Sequence, residues 1–309
     1  MTESRPVWIL AGPTASGKSA LAMKIAKESD GVIINADSMQ VYREIPILAA
    51  QPDLADQAEL PHRLYGFQPI SQSYSSAEWA QQAVVTIKKT QNEGKQPILV
   101  GGSGLYLRAL TEGFSPMPAI PPAVRKHVTD LYDILGPNSF HAMLLKIDPA
   151  TAERLHPTDR QRCIRAREVY EVSGEPLSAW QARDKQTPAG DLTFRSCVIL
   201  PDRDMLHQHI NTRFVQMVDR GALDEARAVY DMHLPPTLTG MQALGLMALM
   251  EYLENHISLE EAIMRGQTQT RQYAKRQFTW FRGQPLPDSF HASSDPSAWF
   301  DDCLSHFTR

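Results

Sequence analysis

The residues best equipped for chemistry in this chain form the stretch GPTASGKS, Gly12 to Ser19. Its spacing, G-x-x-x-x-G-K-[ST], falls between an apolar run and a helical pattern, the context a phosphate-binding loop requires. In such a loop backbone N–H groups converge on an anion, and the N-terminus of the following helix adds positive potential. Gly12, Pro13, Thr14, Ala15, Ser16 and Gly17 supply the turn, Lys18 neutralises an outer phosphate, and the Ser19 hydroxyl is placed to ligate Mg²⁺. The motif specifies a bound phosphate without specifying its fate. Transfer, hydrolysis and release as a leaving group all remain open.

An acid at the end of a second strand commonly holds the metal in sites of this kind. Two candidates exist, Asp37 after VIINA and Asp202 after CVILP, and Asp202 serves equally well as a helix cap. Asp37 belongs to NADSMQVYR (35–43), which gathers an acid, a hydroxyl, an amide, an aromatic ring and an arginine beyond a strand's carboxyl end. Ligands of open α/β sheets bind at that edge. GGSGLY (101–106) closes another strand, and its glycines allow close backbone approach beside the Ser103 hydroxyl.

Basic residues concentrate in two places. Arg154, Arg160, Arg162, Arg165 and Arg167 lie within fourteen residues, with Arg160 and Arg167 on one helix face and Arg162 and Arg165 nearly opposite. Some of them are expected to pair with Asp159 or Glu168. Arg271, Lys275 and Arg282 fall on one stripe of a later helix, whose aromatics Tyr273, Phe278, Trp280 and Phe281 read as core more readily than as base-stacking platforms. His207 and His209 are two apart on a helix and point to different faces, so no metal site is read there. Three scattered cysteines, Cys163, Cys197 and Cys303, suit a reducing compartment and no zinc site.

The elements that must position these groups follow from periodicity. VWILA (7–11), GVIIN (31–35) and PILVGG (97–102) read as buried parallel strands, and helical patterns at 19–29 and 76–94 alternate with them. Four prolines within SPMPAIPP (115–122) mark a boundary. Only helices are expected from there to about Pro188, with starts at Asp148 and at Thr158 or Asp159. FRSCVIL (194–200) returns to strand, and helices continue to about Arg282. The expected fold is α/β: a P-loop NTPase-like parallel sheet core (1–115 and 190–283) with C-terminal helices, a helical insertion domain (116–189) and an irregular tail (284–309) with at most a short helix at its end. No apolar run suits a signal peptide or a membrane span, so a cytoplasmic protein is expected. A net charge of −4 gives no global signal for nucleic acid, and any such contact must be local.

GPTASGKS, NADSMQVYR, SYSSAEW, GGSGLYLRAL, HPTDRQRCIRAREVYEVSGEPLS and TRQYAKRQFTWFR, in this order, resemble the tRNA dimethylallyltransferases, also called tRNA isopentenyltransferases. The likeness runs over roughly residues 7–282. It implies that the phosphate loop holds the diphosphate of dimethylallyl diphosphate with Mg²⁺. The five-carbon group would pass to N6 of the adenosine 3′ of the anticodon, with diphosphate as the leaving group. It further implies that Asp37 and Thr14 are catalytic and that Arg213 joins Gly12 to Ser19 on the diphosphate. Asp37, Ser38, Met39, Gln40, Ser103, Arg125, Gln161, Arg162, Cys163, Ile164 and Arg165 are implied to contact tRNA. The expected partners are tRNA and dimethylallyl diphosphate, with no membrane and a monomeric chain.

The chain departs from the family pattern at PILAAQP (46–52), where Gln51 stands for the usual lysine. Arg63 replaces the second histidine of a pair, Ser103 a threonine, and GLMA (245–248) a GYRQ-like stretch. Without the resemblance, a small-metabolite or nucleoside kinase is the main rival, with the helical insertion as its lid. A non-catalytic RNA- or nucleotide-binding protein is a second. A free adenine nucleotide as acceptor, or another prenyl donor, is a third.

Overall fold

The computed structural model describes residues 5–292 and 295–309. They divide into two compact units, one comprising the chain up to Thr111 and again from Pro188, the other Glu112–Thr187.

The first unit is built on a six-stranded sheet. In chain order its first elements are β1 (Val7–Ala11), α1 (Lys18–Ser29), β2 (Gly31–Asn35), α2 (Leu54–Glu59), β3 (His62–Arg63), α3 (Ser76–Asn92), β4 (Gln96–Gly101) and α4 (Gly104–Thr111). The second unit contributes α5 (Pro122–Ile147), α6 (Pro149–Ala152), α7 (Arg160–Ser173) and α8 (Leu177–Gln181). The first unit resumes with β5 (Phe194–Val198), α9 (Arg203–Met217), α10 (Leu223–Tyr230), α11 (Leu246–Leu253), α12 (Leu259–Gly283), β6 (Ser289–His291) and α13 (Trp299–Thr308).

The strand order is β3-β2-β4-β1-β5-β6, with all pairings parallel. Every residue of β1, β2 and β4 is buried, as strands covered on both faces require. One face packs Trp8, Leu10, Ile33, Ile98, Val100 and Cys197 against Leu21, Ala22, Ile25 and Ala26 of α1 and against α13. With β1 central, its carboxyl end sits between those of β4 and β5. The loops beginning at Gly12 and Gly102 therefore emerge side by side, and the loop after Asn35 emerges one strand further on.

Two expectations are corrected. The tail is not irregular: β6 extends the sheet, with Ser196, Cys197 and Val198 in register with Ser289, Phe290 and His291. Trp299, Cys303 and Phe307, four apart, then form the buried face of α13. Pro285, Pro287 and Pro296 lie in the connections, and the polar residues between the apolar positions of α13 hid this short repeat. The cysteines, read as scattered, also come together in part. Cys197 of β5 and Cys303 of α13 are joined, with Cα atoms 5.8 Å apart, while Cys163 is free and buried.

The second unit, where the sequence reading places 116–189, has its own apolar core. Val128, Tyr132, Phe140 and Leu144 of α5 meet Cys163, Ile164, Ala166 and Val169 of α7. Asp148 caps α6, accepting from Thr151 N–H (3.1 Å) and from Ser178 N–H (3.0 Å) with its other oxygen. Burial pushes its pKa up, but these hydrogen bonds outweigh burial and hold it below the usual carboxylate range. No helix among the described residues is long and apolar enough to cross a membrane.

Candidate active site

The phosphate loop is set by its neighbours. A side chain at Gly12 would lie 2.6 Å from the Ile199 carbonyl oxygen, so only glycine lets the loop leave β1 against the end of β5. The Lys18 ammonium turns back to the Pro13 carbonyl (3.2 Å). Burial pulls its pKa down to about 8; nearby Asp37 opposes this and Arg213 adds to it. The Ser16 hydroxyl is buried without a hydrogen-bond partner, a vacancy suited to an anion oxygen. Arg213, on α9, donates to the Thr14 hydroxyl (2.6 Å) and so joins the loop from a position 199 residues distant. Burial lowers the Arg213 pKa, again opposed by Asp37.

Asp37 is positioned by Asn35. The Asn35 side chain accepts from Asp37 N–H (2.7 Å) and donates to the carbonyls of Asp37 (3.0 Å) and Leu64 (2.9 Å). One Asp37 carboxylate oxygen accepts from Met39 N–H (2.9 Å). Ser38 N–H donates to the Ser103 hydroxyl (2.9 Å), tying this loop to the one after β4. Gln40 spends its amide on the carbonyls of Ala49 and Ala50, and Glu225 of α10 accepts from the N–H groups of Ile47 and Leu48. Asp202, the other strand-end acid, caps α9 through Asp204 and Met205 N–H.

Some of these groups line a cavity. Thr14, Asp37, Arg213 and Tyr273 provide its polar wall; Met39, Leu48, Ile210, Phe214, Met217 and Leu244 provide its apolar wall. Met39 thus lines a cavity beside Asp37. A second opening, bounded by Ala15 to Ala20 and by Gln208, His209, Thr212 and Arg213, exposes the phosphate loop and Ser19. Cation and hydrocarbon surfaces meet at Arg213, which borders both.

In the helical unit the implied RNA residues separate into two groups. Arg125, Gln161 and Arg162 are exposed and Arg165 partly so, whereas the side chains of Cys163 and Ile164 lie in the core. The buried Glu168 carboxylate faces both Arg125 (3.3 Å) and Arg165 (3.5 Å), while Arg162 pairs with Asp159. Arg154, Arg162 and Arg165 share a groove with Met117, Leu155 and Leu177.

The departures from the expected pattern have local partners. Gln51 donates to the Tyr42 carbonyl (2.7 Å), Arg63 binds Thr90 and Glu93, and Leu246 is fully buried. Tyr273, Gln277 and Glu168 were not singled out as site residues by the sequence reading. Spacing contained a signal for Gln277, because Thr270, Ala274, Gln277 and Phe281 repeat along the buried face of α12. The polar members of that face are unusual in a core.

Fold and site together define a P-loop α/β protein whose anion cradle adjoins an apolar cavity and a strand-end carboxylate. Residues 40–284 match the family model of the IPP transferases. The chain belongs to the IPP transferase family. A tRNA dimethylallyltransferase of Chelativorans sp. (strain BNC1) is 46% identical over 284 residues, covering 92% of this chain and 97% of that protein. The crystal structure of the full-length tRNA isopentenylpyrophosphate transferase from Bacillus halodurans is similar with a TM-score of 0.70 at 31% identity, over 98% of this chain and 96% of that one. A eukaryotic dimethylallyltransferase seen in crystallographic snapshots acting on tRNA gives a TM-score of 0.79 at 27% identity, over 98% of this chain and 77% of that one.

Proposed function

We propose that the chain transfers a dimethylallyl group from dimethylallyl diphosphate to N6 of the adenosine 3′ of the anticodon in tRNA. The observation that carries this reading is the single cavity shared by Thr14, Arg213, Asp37 and an apolar wall. A diphosphate on the loop directs a five-carbon chain into hydrocarbon surroundings and presents its first carbon near a carboxylate.

The adenine amine is a poor nucleophile because its lone pair is delocalised into the ring. Asp37 accepts a hydrogen bond from it and takes its proton as the C–N bond forms, while the C–O bond to diphosphate breaks. Placement by Asn35 matters more than basicity, since the amine becomes acidic only as the bond develops. Lys18, Arg213, the Thr14 hydroxyl and the loop amides stabilise the charge growing on the leaving diphosphate. The Ser19 hydroxyl, a hard oxygen ligand open at the mouth of the loop, would suit Mg²⁺ beside the bound diphosphate. When bound, that ion supplies further neutralisation of the diphosphate.

RNA is held by local basic surfaces, in keeping with a net charge of −4. Arg125, Arg162 and Arg165 serve in the helical unit. In the other unit, a groove between α9 and α12 is lined by Arg203, His207, Arg271, Lys275 and Arg282, with Phe278 among them. The target base must leave its stack to reach Asp37.

The test uses purified protein, Mg²⁺, unmodified tRNA and dimethylallyl diphosphate labelled in the prenyl group, with γ-labelled ATP in parallel. Label entering tRNA with release of diphosphate is the expected result. Phosphate moving from ATP to a small acceptor, with no prenyl label in tRNA, would establish the kinase instead.

A further inference from the structure

We propose that Gln277 is a positioning residue that couples the donor site to the acceptor site, so that each substrate binds more tightly when the other is present. The inference rests on the transfer reaction proposed above. Gln277 lies on α12 with only 5% of its surface exposed, and it uses both ends of its amide. Its oxygen accepts from the Thr14 N–H at 2.8 Å, and its nitrogen donates to the Gly102 carbonyl at 2.8 Å. One side chain thereby fastens the phosphate loop to the loop after β4.

The connection extends in both directions. Thr14 is held from its other side by Arg213. On the other side, the Gly102 carbonyl that Gln277 holds adjoins Ser103 in the chain. Ser103 in turn accepts from Ser38 N–H, next to Asp37. A connected path therefore runs from Arg213 through Thr14 and Gln277 to Gly102, and along the backbone to Ser103 and the Asp37 loop. A diphosphate that orders Thr14 and Arg213 also fixes the position from which Asp37 meets the base.

The chemistry at position 277 is restrictive. Thr14 presents a donor and Gly102 an acceptor, and a primary amide answers both at once. A carboxylate keeps the first bond and places charge against the Gly102 carbonyl. A methionine keeps the length and loses both bonds. The space is also closed, because a Cβ at Gly102 would fall 2.3 Å from the Gln277 amide nitrogen. The Thr14 N–H is turned inward to this contact, so it acts on the anion through loop shape rather than as a direct donor.

The experiment measures pyrophosphate affinity for the full-length protein with and without saturating tRNA, and tRNA affinity with and without pyrophosphate. Wild type, Gln277→Met and Gln277→Glu are compared, with kcat and both KM values for prenyl transfer. In wild type the two ligands should strengthen each other by the same factor, roughly five-fold or more. Gln277→Met should bring that factor to about one and lower kcat roughly ten- to hundred-fold, with smaller changes in KM. Gln277→Glu keeps the Thr14 bond but sets a carboxylate against the Gly102 carbonyl, so it should also lose most of the coupling. Thermal melting of both variants separates lost coupling from lost fold. No coupling in wild type, or full coupling in both folded variants, would overturn the inference. Coupling in wild type without prenyl transfer would sink the proposed reaction while leaving the role of Gln277 standing.

Discussion

Replacing Asp37 by asparagine exchanges one carboxylate oxygen for an amide and removes one negative charge. The backbone turn should survive, because Asn35 holds it through the main chain of residue 37 and an asparagine oxygen can still accept from Met39 N–H. What disappears is the proton acceptor. A positioned general base contributes typically 10²- to 10⁴-fold, or roughly 2.7 to 5.4 kcal/mol of barrier at 1.36 kcal/mol per decade. A fall in single-turnover rate of about 10³ is expected. Donor binding should move the other way. The Asp37 charge draws on both Lys18 and Arg213, and its removal leaves those cations free to attract diphosphate more strongly. The assay pairs single-turnover prenyl transfer at saturating tRNA with calorimetric binding of pyrophosphate. A rate within ten-fold of wild type would refute the acceptor role. Parallel loss of rate and pyrophosphate binding would show that Asp37 supports the loop rather than the reaction.

Three further outcomes are expected. In metal-free buffer, pyrophosphate affinity should be level below about pH 8, where Lys18 is already charged, because burial sets its free pKa near that value. Above it, binding must take up a proton, and affinity should fall by up to ten-fold per pH unit, measured by calorimetry; a level profile from pH 7 to 10 would exclude this. Glu168→Gln should free Arg125 and Arg165 from their shared anchor and weaken tRNA binding several-fold, with donor KM unchanged. Filter binding with unmodified tRNA checks it. Asp148, held below the usual carboxylate range, contributes stability that is present above its unfolded pKa of about 3.9 and lost as pH falls through its lower folded value. Asp148→Asn should therefore cost roughly 1.5–3 kcal/mol of local stability near neutrality and progressively less on acidification, read from hydrogen exchange of the α6 to α8 amides.

Features encoded within a few residues were legible in the sequence. The glycine loop with its flanking strand and helix is one. The helix over 76–94 is another, with Ser75 and Glu78 forming a reciprocal capping box. Asp148 and Asp159 mark the helix starts expected of them. The nearness of Asp37 to Lys18 followed from the rule that parallel strands present their carboxyl ends on one edge. What stayed hidden depends on distant partners. Nothing near position 277 shows that an amide will meet Thr14, 263 residues earlier. The register of β6 and the pairing of Cys197 with Cys303 likewise span long separations. Resemblance supplied the role of Arg213, which composition alone leaves as one arginine among many.

The two ends of the helical unit meet. Phe114 and Gln186 form an antiparallel bridge, with Gln186 N–H donating to the Phe114 carbonyl at 2.9 Å, and Lys185 pairs with Glu112 beside it. The chain thus leaves and returns through a narrow neck, and the stretch between has an apolar core of its own. Such an arrangement makes the excursion a replaceable module. The entropy of closing a loop grows only slowly with its length, so helices can be gained or lost beyond the neck at little cost to the sheet. Evolution can reshape the surface of the helical unit beyond that neck without touching the sheet and its phosphate loop. A designer exchanging this unit has the same two residues, Phe114 and Gln186, as natural graft points.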